Sequence, residues 1–355
     1  MGFPGARGAG EVSVKSFSRQ RAAVAPLMEE TRGRIAGGVD QLQRRVFLLT
    51  SAASCVALLT ACAGITTPEL ERIGNEVPHA DINFNEMYAY AERSNTAYQD
   101  KVAIKSKYPS TIRINSPDGT EVRYFLEQNN KTHTQFITVR GTHNNQNLSE
   151  DLDISVRSDR KVDIPVHTGF DLAARAVFND LKPQLKPGYK TYVTGHSLGG
   201  AIAAILAIYL IEDGVKVERV VTFGQPRFTT AEGVKRLGFL PLTRVVDEND
   251  IVPLVPPNTF ISSEFGPFEH VGTEVILLEG PEFVFLPSHD ANRISLGEFW
   301  RSLSFADLGD HEMQKYLGRI ASKANGAKEV PYTKREKYVV TSAGGPSPGG
   351  VVFSH

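Results

Sequence analysis

Over residues 82–99, Phe84, Met87, Tyr88, Ala91 and Tyr98 recur near helical spacing, which predicts a helix there. Two short runs, Thr111–Asn115 and Glu121–Gln128, flank Ser116-Pro117-Asp118-Gly119 and read as strands joined by a hairpin turn. Gln135–Val139 predicts a third strand, ending at Arg140-Gly141-Thr142. Beyond a polar stretch, 143–165, the residues Phe170, Ala174, Val177, Phe178, Leu181 and Leu185 trace one helical face that stops before Pro187-Gly188. The pattern then alternates. Tyr189–Thr194 is a strand, Leu198–Glu212 a helix, Arg219–Phe223 a strand, 230–237 a helix and Leu242–Val246 a strand, with a further strand at Thr273–Leu278. Short strand–helix–strand connections imply right-handed crossovers, hence an α/β fold with a mostly parallel central sheet and helices on both faces.

The two ends of the chain read differently. Residues 1–43 are basic, Gly-rich and unpatterned, which predicts disorder. Arg44-Arg45 then opens an apolar run to Ala61, too short for the roughly 20 residues a spanning helix needs. A positive flank, an apolar middle and small residues before Cys62 have the three-part form of an export signal. Leu59-Thr60-Ala61-Cys62 resembles the lipobox of bacterial lipoproteins, which implies cleavage before Cys62 and acylation of its thiol. Cys55 fits that pattern less well, because Ala52 stands where Leu59 stands for Cys62. Gln43-Arg44-Arg45-Val46-Phe47-Leu48 resembles a twin-arginine export motif, and Met28 is an alternative start. The expected layout is therefore an export signal over 1–61, a tether over 62–80, one domain over 81–322 and a disordered Gly/Pro-rich tail over 323–355. The resemblance implies a lipoprotein of the bacterial cell envelope, anchored to the membrane through Cys62.

Composition narrows the chemistry. A formal net charge of −1 argues against an electrostatic nucleic-acid binder. Two cysteines supply neither a disulfide framework nor a zinc ribbon.

The centre of interest is Gly195-His196-Ser197-Leu198-Gly199. The bare G-x-S-x-G pattern occurs by chance in about one unrelated chain in ten of this length. Here the serine follows a predicted strand and opens a predicted helix, which is the setting of a nucleophile elbow. A serine hydroxyl is a poor nucleophile at neutral pH, so it needs a base and a third group that orients the base. Asp247, Glu248 and Asp250 follow the strand at 242–246, at the carboxyl end of the sheet where ligands bind in open α/β folds. His270, His289 and His311 follow them, as the order Ser, acid, His requires.

Seven segments in order resemble the class 3 (fungal lipase-like) branch of the α/β-hydrolases over roughly residues 82–320. They are Val139–Thr142, Val166–Phe170, Thr194–Ala201, Thr222–Arg227, Asn249–Pro253, His270–Glu274 and Asp310–Met313. The resemblance implies Ser197 as nucleophile, Asp250 as the orienting acid and His311, within Asp-His-x-Met-x-x-Tyr, as the base. It also implies an oxyanion hole from the backbone N–H of Leu198 and from Thr142. The implied activity is carboxylic-ester hydrolysis on an ester or lipid substrate, with no cofactor and no metal. A silent lipid-binding envelope protein, and phospholipase or acyltransferase chemistry on the same triad, are the alternatives.

One departure bears on the substrate. The family's lid follows the oxyanion residue, and here Asn144–Asp159 offers only Leu148, Leu152, Ile154 and Val156 and no aromatic, while Trp300 lies elsewhere. A polar lid favours shorter or more polar esters.

Overall fold

The computed structural model describes residues 67–141, 156–158, 163–256, 261–262, 266–292, 294 and 311–338. All of them belong to one compact unit that begins at Ile65. The expected export signal over 1–61, both cysteines, Thr142, Trp300, most of the segment expected to form a lid and residues 339–355 lie outside the described residues.

The centre is a nine-stranded sheet whose order in space is the order in the chain. Its strands are β1 (Thr111–Asn115), β2 (Arg123–Asn129), β3 (Thr134–Arg140), β4 (Lys190–His196), β5 (Val217–Phe223), β6 (Leu242–Asp247), β7 (Thr273–Leu277), β8 (Glu282–Leu286) and β9 (Lys328–Glu329). β1, β2 and β3 form an antiparallel meander, β3 to β7 run parallel, and β8 returns antiparallel to β7. Register aligns Arg140 with His196, His196 with Phe223, and Phe223 with Val245. The carboxyl ends of β3, β4, β5 and β6 therefore meet at one edge, and the loops leaving them share one neighbourhood.

Seven α-helices are described: α1 (Thr67–Asn75), α2 (Phe84–Thr96), α3 (Lys101–Lys107), α4 (Thr168–Leu181), α5 (Leu198–Glu212), α6 (Ala231–Arg236) and α7 (Met313–Ala321). On one face α4 and α5 share a core cluster with Leu126, Ile137, Val139, Val193 and Val220. Sandwiched between sheet and α4, α5 is apolar all round, and every position from Gly199 to Leu210 is buried. On the other face α2 and α7 pack on Val221, Phe223, Val245 and Val275. Asn83 starts α2 by accepting the N–H of Glu86, and Asp100 caps α3 on Ala103. No described helix is long and apolar enough to cross a membrane.

Two expected boundaries shift. The sequence suggested a tether over 62–80, yet within it Thr67–Asn75 is a helix whose Ile73 is buried. The expected disordered tail from 323 instead continues the domain to Tyr338, with buried Lys323, the strand β9 and a 3-10 turn over Tyr332–Tyr338. The reason is mutual burial. Ile73, Val330 and Tyr332 share a small core with Ile276 on β7, Leu278 just past it, and Val284 and Leu286 on β8. Thr333 donates its hydroxyl proton to the side chain of Asn75 at 2.8 Å. Neither segment has sustained periodicity, because each supplies only a few apolar contacts to a core completed by the other.

Candidate active site

Ser197 stands at the turn from β4 into α5 with φ 59° and ψ −136°, a conformation that side chains rarely adopt. The surrounding packing imposes it. Ser197 N–H donates to Phe223 O at 2.9 Å, and Gly200 N–H returns to Ser197 O at 2.8 Å. The glycines make the turn sterically feasible: a Cβ at Gly195 would stand 2.3 Å from Gly199 O, and one at Gly199 2.5 Å from Val139 O. The Ser197 side chain makes no helix-capping hydrogen bond, so its hydroxyl is left for chemistry.

Asp250 lies past β6 and is buried, as is His311, just ahead of α7. His311 Nδ1 donates to Asp250 Oδ2 at 2.7 Å. The Tyr316 hydroxyl donates to the same oxygen at 2.6 Å and accepts from Asp247 N–H at 3.1 Å, while Val252 N–H donates to Asp250 Oδ1 at 2.8 Å. Burial by itself would raise the pKa of Asp250, but the charge and hydrogen bond of His311, with Tyr316 and the Val252 amide, outweigh it and hold the carboxyl below its ordinary value. Burial, then the Asp250 and Asp247 carboxylates, pushes the Tyr316 phenol well up, so it remains a donor. The pair His311–Asp250 thus fixes a proton on Nδ1 and leaves Nε2 as the basic nitrogen; Nε2 is buried and takes no hydrogen-bond partner among the described residues.

The rivals are all occupied elsewhere. Asp247 pairs with Arg319 at 2.7 Å and Glu248 with Arg335 at 2.7 Å. His270 Nε2 donates to Pro253 O at 2.6 Å, deep in the domain, and His289 is an exposed residue beside Asp290. Of the three acids and three histidines that sequence order leaves open, Asp250 and His311 are the pair that meet.

Leu198 begins α5, so its N–H is one of the helix's orphan donors and carries the positive end of the helix dipole. Gly141, immediately before Thr142, packs against this amide: a Cβ there would lie 3.0 Å from Gly199 N and 3.3 Å from Leu198 N. Thr142 itself lies outside the described residues, as does Cys62.

Three contributors escaped the sequence reading. Tyr316 was visible only as the last letter of a motif, and its bond to Asp250 requires the helical turn after His311. Gly224, after β5 at φ 53°, approaches the Asp250–His311 pair so closely that a Cβ would stand 2.7 Å from Asp250 Oδ2 and 2.8 Å from His311 Cε1. Tyr98 read as one more apolar residue on a helix, yet it follows α2 and donates its hydroxyl to His196 Nδ1 at 2.8 Å.

A family model described as Lipase (class 3) matches residues 136–260, which include Ser197 and Asp250. A lipase of Rhizopus niveus is 29% identical over 233 residues, covering 58% of this chain and 57% of that protein. A lipase of Rhizomucor miehei is 36% identical over 172 residues, covering 44% of this chain and 46% of that protein. The chain thus matches about half the length of these relatives. Among solved structures, one of a triacylglycerol lipase, described as having a serine protease triad at its catalytic centre, is 26% identical with a TM-score of 0.55, covering 65% of this chain and 94% of that one. The fold is that of the α/β-hydrolase lipases.

Proposed function

We propose that this chain is a serine carboxylic-ester hydrolase of the class 3 lipase kind. The observation that carries the reading is the buried His311–Asp250 hydrogen bond of 2.7 Å, set at the sheet edge where the strained Ser197 leaves β4. Ser197 Oγ attacks the ester carbonyl carbon while His311 Nε2 takes its proton. The imidazolium is held by Asp250, and the negative oxygen of the tetrahedral intermediate is met by the Leu198 N–H and by Thr142. Collapse expels the alcohol, which receives the proton from His311. Water then attacks the acyl-enzyme by the same route, releasing the acid and restoring the serine. Every proton is returned, so the cycle balances with the chain's own groups.

The substrate is a short or polar ester, a reading supported by the scarcity of large apolar residues in 144–159. The anchor is an acylated Cys62 that tethers the enzyme to the membrane in a bacterial envelope, following twin-arginine export. That reading is supported by the sequence around Arg44-Arg45 and Leu59–Cys62.

A fluorophosphonate probe tests the chemistry: it labels the wild type and spares Ser197→Ala. No labelling, or equal labelling of both, would end the hydrolase reading. A p-nitrophenyl ester chain-length series should peak at short chains without a jump above the substrate's solubility limit. Mass spectrometry of the processed N-terminus should find lipid on Cys62, and an intact leader would remove the anchor while leaving the triad in place.

A further inference from the structure

His311 lies outside α7, ahead of its cap Glu312, so helix bonds do not hold its carbonyl. A buried carbonyl needs a donor. His196 supplies it, with Nε2 2.8 Å from His311 O. A carbonyl can only accept, so the His196 ring carries its proton on Nε2 and Nδ1 must accept. The partner of Nδ1 is the Tyr98 hydroxyl at 2.8 Å, which therefore donates. The carbonyl fixes the proton on Nε2, and in a neutral ring Nδ1 is then left to accept.

His196 is also the residue before the nucleophile, and its ring packs on that of His311 with centroids 4.5 Å apart. Burial, then the neighbouring His311 charge, lowers its pKa to about 3, so it sits as a neutral ring beside the imidazolium that forms in each cycle. At the other end of the chain of bonds, the Tyr98 oxygen lies against the backbone N–H of Gly141, at the exit of β3. One run of contacts therefore links the oxyanion strand, the elbow and the base.

We infer that Tyr98 and His196 are positioning residues: the ordered relay Tyr98 O–H to His196 Nδ1, and His196 Nε2–H to His311 O, sets the main chain of the base relative to Ser197. The inference rests on the hydrolase reading. Misplacing a catalytic group by about 1 Å costs on the order of 100-fold in rate, whereas losing uniform binding changes KM.

The test uses the full chain and p-nitrophenyl butyrate. His196→Leu removes the donor to His311 O and should lower kcat by roughly 30- to 300-fold with KM within about twofold. His196→Gln keeps an N–H donor at the far end of the side chain and should recover about tenfold or more of that loss. Tyr98→Phe, which removes only the orienting hydroxyl, should lower kcat by about 3- to 10-fold. Equal losses in the Leu and Gln variants, or losses carried by KM, would overturn the relay.

Nitrogen-15 histidine spectra of the wild type give a readout independent of turnover, with the His196 signal identified by its loss in His196→Gln. A slowly exchanging proton on Nε2 is expected, and a proton on Nδ1 overturns the relay even if the probe labels Ser197. The expected Nε2 proton in a protein that takes no fluorophosphonate fails the hydrolase reading instead, and the positioning role falls with it.

Discussion

His311 and Asp250 share a hydrogen bond of 2.7 Å between side chains that are 1% and 0% exposed. In so dry a site the carboxylate fixes the His311 proton on Nδ1 and sets the orientation of the ring. Asp250→Asn keeps the shape but offers an N–H, or a weaker oxygen, to Nδ1. We expect kcat on a soluble ester to fall by about 10³- to 10⁴-fold with little change in KM. A loss under tenfold would show that another group orients His311.

Gly224 gives a steric test of the same pair. Its φ is 53°, and any Cβ would lie within 2.7–2.9 Å of Asp250 Oδ2 and two atoms of the His311 ring. Gly224→Ala should therefore part the acid from the base, lowering kcat by about 100-fold or more and destabilising the domain by about 1–3 kcal/mol. Urea unfolding beside the kinetics checks both, and an active Gly224→Ala would mean that the loop yields without disturbing the triad.

Ser197 is held in a strained backbone conformation. At φ 59°, ψ −136° a non-glycine residue costs about 1–3 kcal/mol, and glycine relieves it. Ser197→Ala and Ser197→Gly should both lose activity by orders of magnitude. Only the glycine variant should be more stable than the wild type, by about 1 kcal/mol after its larger unfolded-state entropy is counted. Paired denaturation curves decide this; a glycine variant less stable than the alanine variant, by the entropy of the unfolded chain alone, would mean the elbow stores no strain.

These residues show what a sequence carries and what it does not. The strands Thr111–Asn115 and Leu242–Asp247 and the helix Leu198–Glu212 were legible, because periodicity and flanking glycines report burial directly. The strand–turn–helix setting of Ser197 was legible too, since an elbow needs its glycines and strand in fixed local order. The choice of Asp250 over Asp247 and Glu248 was not legible from local order, because it depends on which carboxylate meets Arg319, Arg335 or His311 in space. Only the resemblance selected it. Tyr98 and the segments Thr67–Asn75 and 328–338 were missed for a related reason. Their partners lie far off in the chain, and a few apolar contacts leave no period to read.

Buried neutral histidines predict an acid limit to stability. Burial, then the His311 charge, lowers His196 to about 3, and burial with Arg244 and Arg227 holds His270 well below its usual value. The unfolded chain takes up these protons near pH 6.5 while the folded chain does not. Their stabilisation is therefore complete above about pH 6.5 and is lost as pH falls towards the folded values, at up to about 1.4 kcal/mol per pH unit for each histidine. Asp250 adds a second loss further down: its lowered pKa contributes stability above the ordinary carboxyl range, lost as pH falls through the folded value. Unfolding free energy should fall steeply between about pH 6 and 4, and His270→Gln should flatten the slope by about one proton. An unchanged slope would show that His270 titrates in the folded state.

The clasp of the two ends should matter to the whole domain. Arg335 stacks on Tyr332 at 3.7 Å and pairs with Glu248 at 2.7 Å, with the two side chains 5% and 13% exposed. Cutting the chain after Ser322, where the pattern alone ends the domain, would strip this guanidinium, together with Val330 and Tyr332, from the core they share with Ile73. Removing one partner of a buried ion pair leaves the other charge desolvated, so Arg335→Met should cost about 3–5 kcal/mol. The double change Arg335→Met with Glu248→Leu should recover most of that, because an apolar pair carries no desolvated charge. A chain ending at 322 should melt well below one ending at 340, or fail to fold. Thermal unfolding of the four proteins checks the ledger: a 322 truncation as stable as the longer chain would mean that the domain does not need its C-terminal segment.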